Sequence, residues 1–222
     1  MHITIHPLPP TEIPTFITIE LAAFAPHPRI PMLWPRGYTP DLHAYMARVK
    51  REAFPSPSNH FIKAVDSDTG EIVGVSQFEI KEEGDEAGEL LAEDAPPPGD
   101  WPEGGNWGMK RFFARESWRL VEGSFGRGAH VVIDLLLIHP THQHRGIGSQ
   151  LLQHVLEEAD SRNIPVGLES TPAGLALYKR HGFVETRVIK ADMRAFGWRE
   201  EYDEEAAKRV WMVRDKVGGR EG

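Results

Sequence analysis

Six residues between a β-branched run and an amphipathic run carry the clearest chemical signal in the sequence: Gln143-His144-Arg145-Gly146-Ile147-Gly148. Two glycines in a strand-to-helix turn let the main chain approach a ligand closely, because no Cβ intervenes. The helix start that follows presents unbonded N–H groups and the positive end of a macrodipole, together an anion site. Asp and Glu are missing from Leu135 through Leu156 in a chain that holds 33 acids. That gap favours a phosphate-bearing ligand. His139, His142 and His144 have a spacing that could converge on zinc or iron. No carboxylate stands near them, and His144 lies inside the glycine loop, so the sequence predicts no metal. Gly123-Ser124-Phe125-Gly126-Arg127-Gly128 imitates a phosphate loop but precedes a strand rather than a helix, and reads as a connector.

The elements that position the loop follow from periodicity. His130–Ile138 is a leucine-rich, β-branched run around one acid, as a central strand requires. Ile147–Asp160 places Ile147, Leu151, Leu152, Val155, Leu156 and Ala159 on one helical stripe. Strands are predicted at Ile3–His6, His60–Asp66, Glu71–Ile80, Ile164–Glu169, Phe183–Ile189 and Val210–Arg214. Helices are predicted at Thr11–Phe24, Asp41–Phe54 and Pro172–His181, with helical character in the tail from Glu200 to Lys208. Eleven of the 18 prolines precede position 58, many in a crossing from Pro26 to Pro40. The order predicts a single α+β/α/β domain over 1–222, without internal repeats.

Residues 81–128 interrupt that order as an acidic and aromatic insertion. Eight acids and one lysine lie between Glu79 and Asp94, followed by Pro96-Pro97-Pro98-Gly99, a composition that reads as solvated surface. Trp101, Trp107, Phe112, Phe113, Trp118 and Phe125 then supply apolar surface that needs burial. Lys110–Glu122 reads as a helix folding back over the substrate side, its acids lending that roof negative charge and its aromatics closing a pocket.

The glycine loop in its strand–loop–helix context resembles the pyrophosphate loop of the GNAT acyl-CoA N-acyltransferase superfamily. A second segment, Thr171-Pro172-Ala173-Gly174-Leu175-Ala176-Leu177-Tyr178-Lys179-Arg180-His181-Gly182-Phe183, ends in the Leu-Tyr-x-x-x-Gly-Phe pattern frequent in that superfamily. The resemblance implies a mixed, mostly antiparallel sheet flanked by helices, with splayed parallel strands at the acyl-CoA site. It implies that Gln143, His144, Arg145, Gly146, Ile147 and Gly148 wrap a pyrophosphate, with Ser149 adding a hydroxyl. Leu137 and Ile138 match the strand edge that pairs with pantetheine. Thr171 stands where many members have asparagine, and Tyr178 matches the usual general acid. Acetyl-CoA is the implied co-substrate and a primary amine the implied acceptor, and the aromatic insertion, as a roof over a pocket, favours a small molecule over a protein. Attack of the amine on the thioester builds an oxyanion that backbone N–H groups can stabilise. A phenol, protonated at neutral pH, can then supply the proton the thiolate needs. Asp134 and Glu169 are the candidate bases. The competing reading is a non-catalytic acyl-CoA-binding or regulatory module on the same fold, which would need neither Tyr178 nor a base.

Composition removes other classes. The sequence has no cysteine, which excludes a disulfide scaffold, a thiolate metal site and a cysteine nucleophile. A net charge of −8 argues against nucleic acid. No apolar run approaches the ~20 residues of a membrane helix, and the proline-rich start has no signal-peptide core. These features predict a cytoplasmic protein, monomer or homodimer, without a membrane partner.

Overall fold

A computed structural model describes residues 2–85 and 88–218. Glu86 and Ala87, inside the expected insertion, and both chain ends lie outside the described residues. The strands are β1 (Ile3–Pro7), β2 (Asn59–Asp66), β3 (Glu71–Lys81), β4 (His130–Ile138), β5 (Val166–Ser170), β6 (Val184–Ile189) and β7 (Arg209–Arg214). They form one sheet in the order β1-β2-β3-β4-β5-β7-β6. Each neighbouring pair is antiparallel except β4–β5, which is parallel. This is the mixed sheet that the resemblance implied. The helices are α1 (Ile13–Phe24), α2 (Ile30–Leu33), α3 (Pro40–Ala53), α4 (Trp107–Phe125), α5 (Ile147–Arg162), α6 (Leu175–Arg180) and α7 (Glu204–Ala207). The short α2 inside the proline-rich crossing had no signal in the sequence. The expected helix at Lys110–Glu122 is longer at both ends, Trp107–Phe125, and its start is fixed by the Asn106 side chain, which caps it by accepting from the Met109 N–H.

Two features of β4 shape the centre of the molecule. Gln77 pairs with Leu135 and Phe78 with Ile133, so Asp134 is the extra residue of a β-bulge. The bulge reverses the side-chain alternation: Val131 and Ile133 face α5, whereas Leu137 beyond it packs with Phe16, Ile19 and Phe61 on the opposite face. β5 pairs with β4 only through Val131↔Val166, Val132↔Gly167 and Ile133↔Leu168. Past that point, among the described residues, 135–138 pair with β3 alone and 169–170 with β7 alone. The parallel pair therefore splays open in mid-sheet. The stripe of α5 closes one face, with Leu151, Leu152, Val155 and Ala159 fully buried. Burial of each large side chain on that stripe contributes about 1.5–3 kcal/mol. The helix ends where Asn163 turns left-handed, with φ 54°, and its N–H bonds back to the last turn.

The segment between β3 and α4 departs from the solvated insertion expected of its composition. Its acids face solvent, but its main chain is fastened to α4. Trp107 and Arg111 both donate to the Ala95 carbonyl, at 2.7 and 2.9 Å, Arg115 donates to that of Leu91, and Trp118 to that of Gly88. Positions 107, 111, 115 and 118 share one helical face, so α4 holds residues 88–95 as a strap along its length. Further on, Arg48 of α3 grips Asp100 with two bonds, and Trp101 packs against Trp34, Tyr45 and Trp107. Gly105 is required there: a Cβ would fall 2.7 Å from Trp34 and 2.8 Å from Trp101.

Candidate active site

The glycine loop leaves β4 through Pro140–His142, a 3-10 turn, and enters α5. His144 and Gly146 both have positive φ, 61° and 81°. The left-handed state costs a non-glycine residue such as His144 on the order of 1 kcal/mol or more, and such strain concentrates where a loop is shaped for a ligand. No side chain caps α5, whose N-cap is Gly146, and a Cβ at Gly146 would meet nothing within 4 Å. The N–H groups of the first turn thus face an open approach. Gly148 lies over the splay: its missing Cβ would stand 3.4 Å from Leu177 of α6 and 3.7–3.8 Å from Leu136 and Ile138 of β4. Gln143 bonds the Ile138 carbonyl at 3.1 Å and Arg145 the Thr141 carbonyl at 2.9 Å, so both side chains shape the loop itself. Ser149 borders a shallow depression with Ile5 and Gln153.

Tyr178 stands on α6 against Phe183, its ring meeting that of Phe183 edge-on at 5.7 Å. The ring is buried, and Gly174 makes room for it: a Cβ there would lie 2.9 Å from the Tyr178 ring and 2.8 Å from the Ser170 hydroxyl. Among the described residues the phenol has no hydrogen-bond partner, and burial pushes its pKa up to about 12. Thr171 follows β5 directly, its carbonyl accepting from Ser170 Oγ at 2.7 Å and from the Gly174 N–H at 3.0 Å. The Gly123–Gly128 segment forms the C-terminal end of α4 and the turn into β4, and so presents no helix start. His139 and His142 share the Thr141 hydroxyl at 2.8 and 2.9 Å. Among the described residues no group of three His, Asp or Glu converges as a metal site.

Across the sheet from α5, a cavity of about 650 Å³ opens between α1, α3, α4, β4 and β5. Asp134 stands on its floor with Val132, on the face opposite Val131 and Ile133, and the bulge sets Leu135 beside it. The Asp134 carboxylate opens into the cavity, enclosed by the surrounding protein, and among the described residues none forms an ion pair or hydrogen bond with it. That enclosure, with Glu79 nearby, pushes its pKa up to about 7, against the smaller opposing pull of Lys50. Glu169, at the splayed end of β5, is differently placed. Arg209 pairs with it at 2.8 Å and the Ser117 hydroxyl donates to its other oxygen.

The cavity walls carry residues that the sequence reading did not single out. Lys50 and Glu20 form a buried ion pair at 2.8 Å joining α3 to α1. Arg29 and Arg209 both lie over the Phe113 ring, at 4.8 and 5.0 Å. Lys110 of α4 faces the same space. One signal was available: Glu20 is the single charge in the apolar α1 sequence IPTFITIELAAF. An isolated acid on such a helix needs a partner when buried. Arg29, Lys110 and Arg209 carry no comparable mark. The face that α4 turns to the cavity, with Lys110, Phe113, Ser117, Trp118 and Glu122, corrects the expected acidic roof: it is aromatic and of mixed charge.

Residues 108–185 match the family model of the acetyltransferase (GNAT) domain, a match that runs from α4 through the start of β6. No curated protein matches the chain significantly. The fold is that of solved acetyltransferases. A histone acetyltransferase HPA2-related acetyltransferase from Corynebacterium glutamicum superposes with TM-score 0.60 at 20% identity, covering 100% of both chains. A mosquito arylalkylamine N-acetyltransferase-like protein superposes with TM-score 0.66 at 15% identity, covering 96% of this chain and 99% of its own. The NatC complex bound to a Gag peptide and CoA gives 0.53 at 15% identity, over 98% and 100%. Residues 108–185 thus match the GNAT domain model, and the chain shares the fold of these solved acetyltransferases. No helix among the described residues is long and apolar enough to cross a membrane.

Proposed function

We propose that this protein is an acetyl-CoA-dependent N-acetyltransferase that acylates a primary amine of a small molecule by direct attack on the thioester. The observation that carries the reading is the join of an uncapped, glycine-lined helix start to a splayed strand pair, with a large cavity on the far face of the sheet. The residues fit the coenzyme. The N–H groups from His144 to Ser149 hold the pyrophosphate, and the open edge at Leu137 and Ile138 pairs with the pantetheine arm beside Thr171. When bound, the coenzyme supplies an activated acetyl thioester. Asp134, raised toward neutrality and free of partners, takes the proton of the acceptor amine as its nitrogen forms the new N–C bond. Tyr178 returns a proton to sulfur as the C–S bond breaks. Glu169, committed to Arg209 and Ser117, positions the cavity wall rather than accepting that proton.

The test is calorimetric titration with acetyl-CoA, followed by thiol release across a panel of amines. Binding with amine-dependent thiol release is the expected result. Binding without release on any amine would leave a non-catalytic acyl-CoA-binding module, and absence of binding would remove the site altogether.

A further inference from the structure

The charges around the cavity are not evenly spread. On the floor stand Asp134 and Glu79, the latter sharing Lys81 at 3.0 Å. On the α4 side stand Arg29, Lys110 and Arg209. The carboxylates within reach are already engaged, Glu169 with Arg209 and Glu20 with Lys50. Glu122 stands 12 residues beyond Lys110 on α4, about 18 Å along the axis. Among the described residues neither the Arg29 guanidinium nor the Lys110 ammonium has a carboxylate partner, and Arg29 Nε is buried without a hydrogen bond. A buried donor of this kind is costly when left unpaired, the more so when it carries charge.

We infer that the acceptor is an anionic amine, whose carboxylate or phosphate group is held by Arg29 and Lys110 while its amino group lies toward Asp134. This rests on the transferase reading of the same cavity and adds the acceptor's chemical class. A guanidinium presents paired donors that suit a carboxylate or phosphate, and that of Arg29 lines the cavity with no carboxylate partner among the described residues. The neighbourhood already resists more positive charge. Burial, then Arg29 and Arg209, hold neutral His27 down to a pKa of about 4. Burial and Arg209 bring Arg29 to about 9, and the same two causes lower Lys110. Toward the floor the opposite holds, since Asp134 is enclosed beside a carboxylate. The cavity therefore carries opposite polarity at its two sides, which matches a molecule that bears both an amine and an acid.

The test is calorimetric titration of the full chain with matched pairs: phenylalanine against phenethylamine, and O-phosphoethanolamine against ethanolamine. The acid-bearing member of one pair is expected to bind about 10- to 100-fold tighter, the usual worth of a charge-assisted hydrogen bond, and the favoured pair tells carboxylate from phosphate. Lys110→Met and Arg29→Gln are expected to bring that ratio toward one. If Arg29→Gln fails to fold, Lys110→Met decides alone, since its ammonium has no ion pair to lose. Equal or tighter binding of both members that lack the acidic group overturns the inference, as does a ratio that both folded variants leave unchanged. These titrations need no turnover, so their failure is distinct from failure of the transferase reading, which the thiol-release assay decides.

Discussion

The two faces of the sheet are built on different principles. On the α5 face the site is made of main chain: glycines, a helix start, and a strand edge freed by the splay. On the α4 face it is made of side chains brought from α1, the α2 region, α3, α4, β4, β5 and β7. A main-chain site depends on local conformation, so its instructions lie within a few residues and show as a motif. A side-chain site depends on tertiary assembly, so Glu20, Arg29, Lys110 and Arg209 can be far apart in sequence and individually ordinary. The first face also tolerates little variation in backbone geometry, whereas the second can exchange side chains while the sheet stays as it is.

The sharpest break of that comparison is Gly148→Glu. Its new Cβ would meet only Leu177, Leu136 and Ile138 at ordinary contact distances, so the fold is expected to survive. The carboxylate would enter the proposed coenzyme cleft beside the helix start. Like-charge juxtaposition costs several kcal/mol, so coenzyme A affinity is expected to fall at least about 100-fold. Calorimetry alongside circular dichroism checks it. A folded variant that binds normally would show that the main-chain site is elsewhere.

Asp134→Asn tests the other face. Turnover is expected to fall about 10²–10⁴-fold, the usual contribution of a general base, with coenzyme affinity unchanged. In the wild type, kcat/KM is expected to rise with pH through about 7, where Asp134 ionises, and that limb should vanish in the variant. The groups facing it are Glu79 and Glu169, which favour its protonated form, and Lys50 and Lys110, which oppose them. Stability gives an independent reading. A carboxyl whose folded pKa lies above its ordinary 3.8 supports the fold fully below that value, and the support drains as pH rises toward 7. The titration-linked difference in melting temperature should therefore be absent near the low value and grow in favour of Asp134→Asn up to about pH 7. A flat difference would mean that Asp134 ionises as an ordinary surface acid.

Tyr178→Phe should have a smaller effect. A phenol pushed up to about 12 is a weak acid against an alkyl thiol, so the loss is expected near the low end of general-acid values, about 10²-fold. Acetyl-CoA affinity should not change, because the buried ring and its contact with Phe183 remain. Single-turnover measurement with excess enzyme would isolate the step. A variant with wild-type turnover would leave Tyr178 as packing and assign the proton to water.

Legibility in the sequence followed the same division. β4 was readable to its ends, since His130–Ile138 combines a continuous apolar run with Pro140 as a stop. α5 was readable because its stripe keeps strict helical spacing. The bulge at Asp134 was not, because it is a relation between β3 and β4 and neither strand alone encodes it. The strap was misread for a related reason. Composition at residues 79–94 reports that acids face water, but says nothing of the carbonyls beneath them, and those carbonyls bind Trp107, Arg111, Arg115 and Trp118. Glu169 shows the same limit. Its position at the end of β5 was legible, whereas its engagement by Arg209, 40 residues on, was not.

The strap supplies the finest test of whether the two faces are independent. Replacing Arg111 and Arg115 by alanine removes two donors from Ala95 and Leu91 while keeping the α4 face that lines the cavity. Hydrogen bonds from charged groups contribute roughly 1.5–3 kcal/mol when buried, and these are only partly buried, so a loss of about 1–2 kcal/mol in stability is expected. Trp107 and Trp118 still hold the strap at Ala95 and Gly88. Lys110, Phe113 and Ser117 would keep their places on the cavity wall, with a small freedom added to the helix that carries them. The acceptor KM should then change by less than about tenfold, the scale of one or two weakened contacts, and coenzyme affinity should stay as it was. Denaturant unfolding, coenzyme titration and acceptor kinetics on the double variant measure all three. A large drop in coenzyme affinity in a protein that remains folded would mean that α4 and the glycine loop are coupled through β4, and the separation of a main-chain site from a side-chain site would fail.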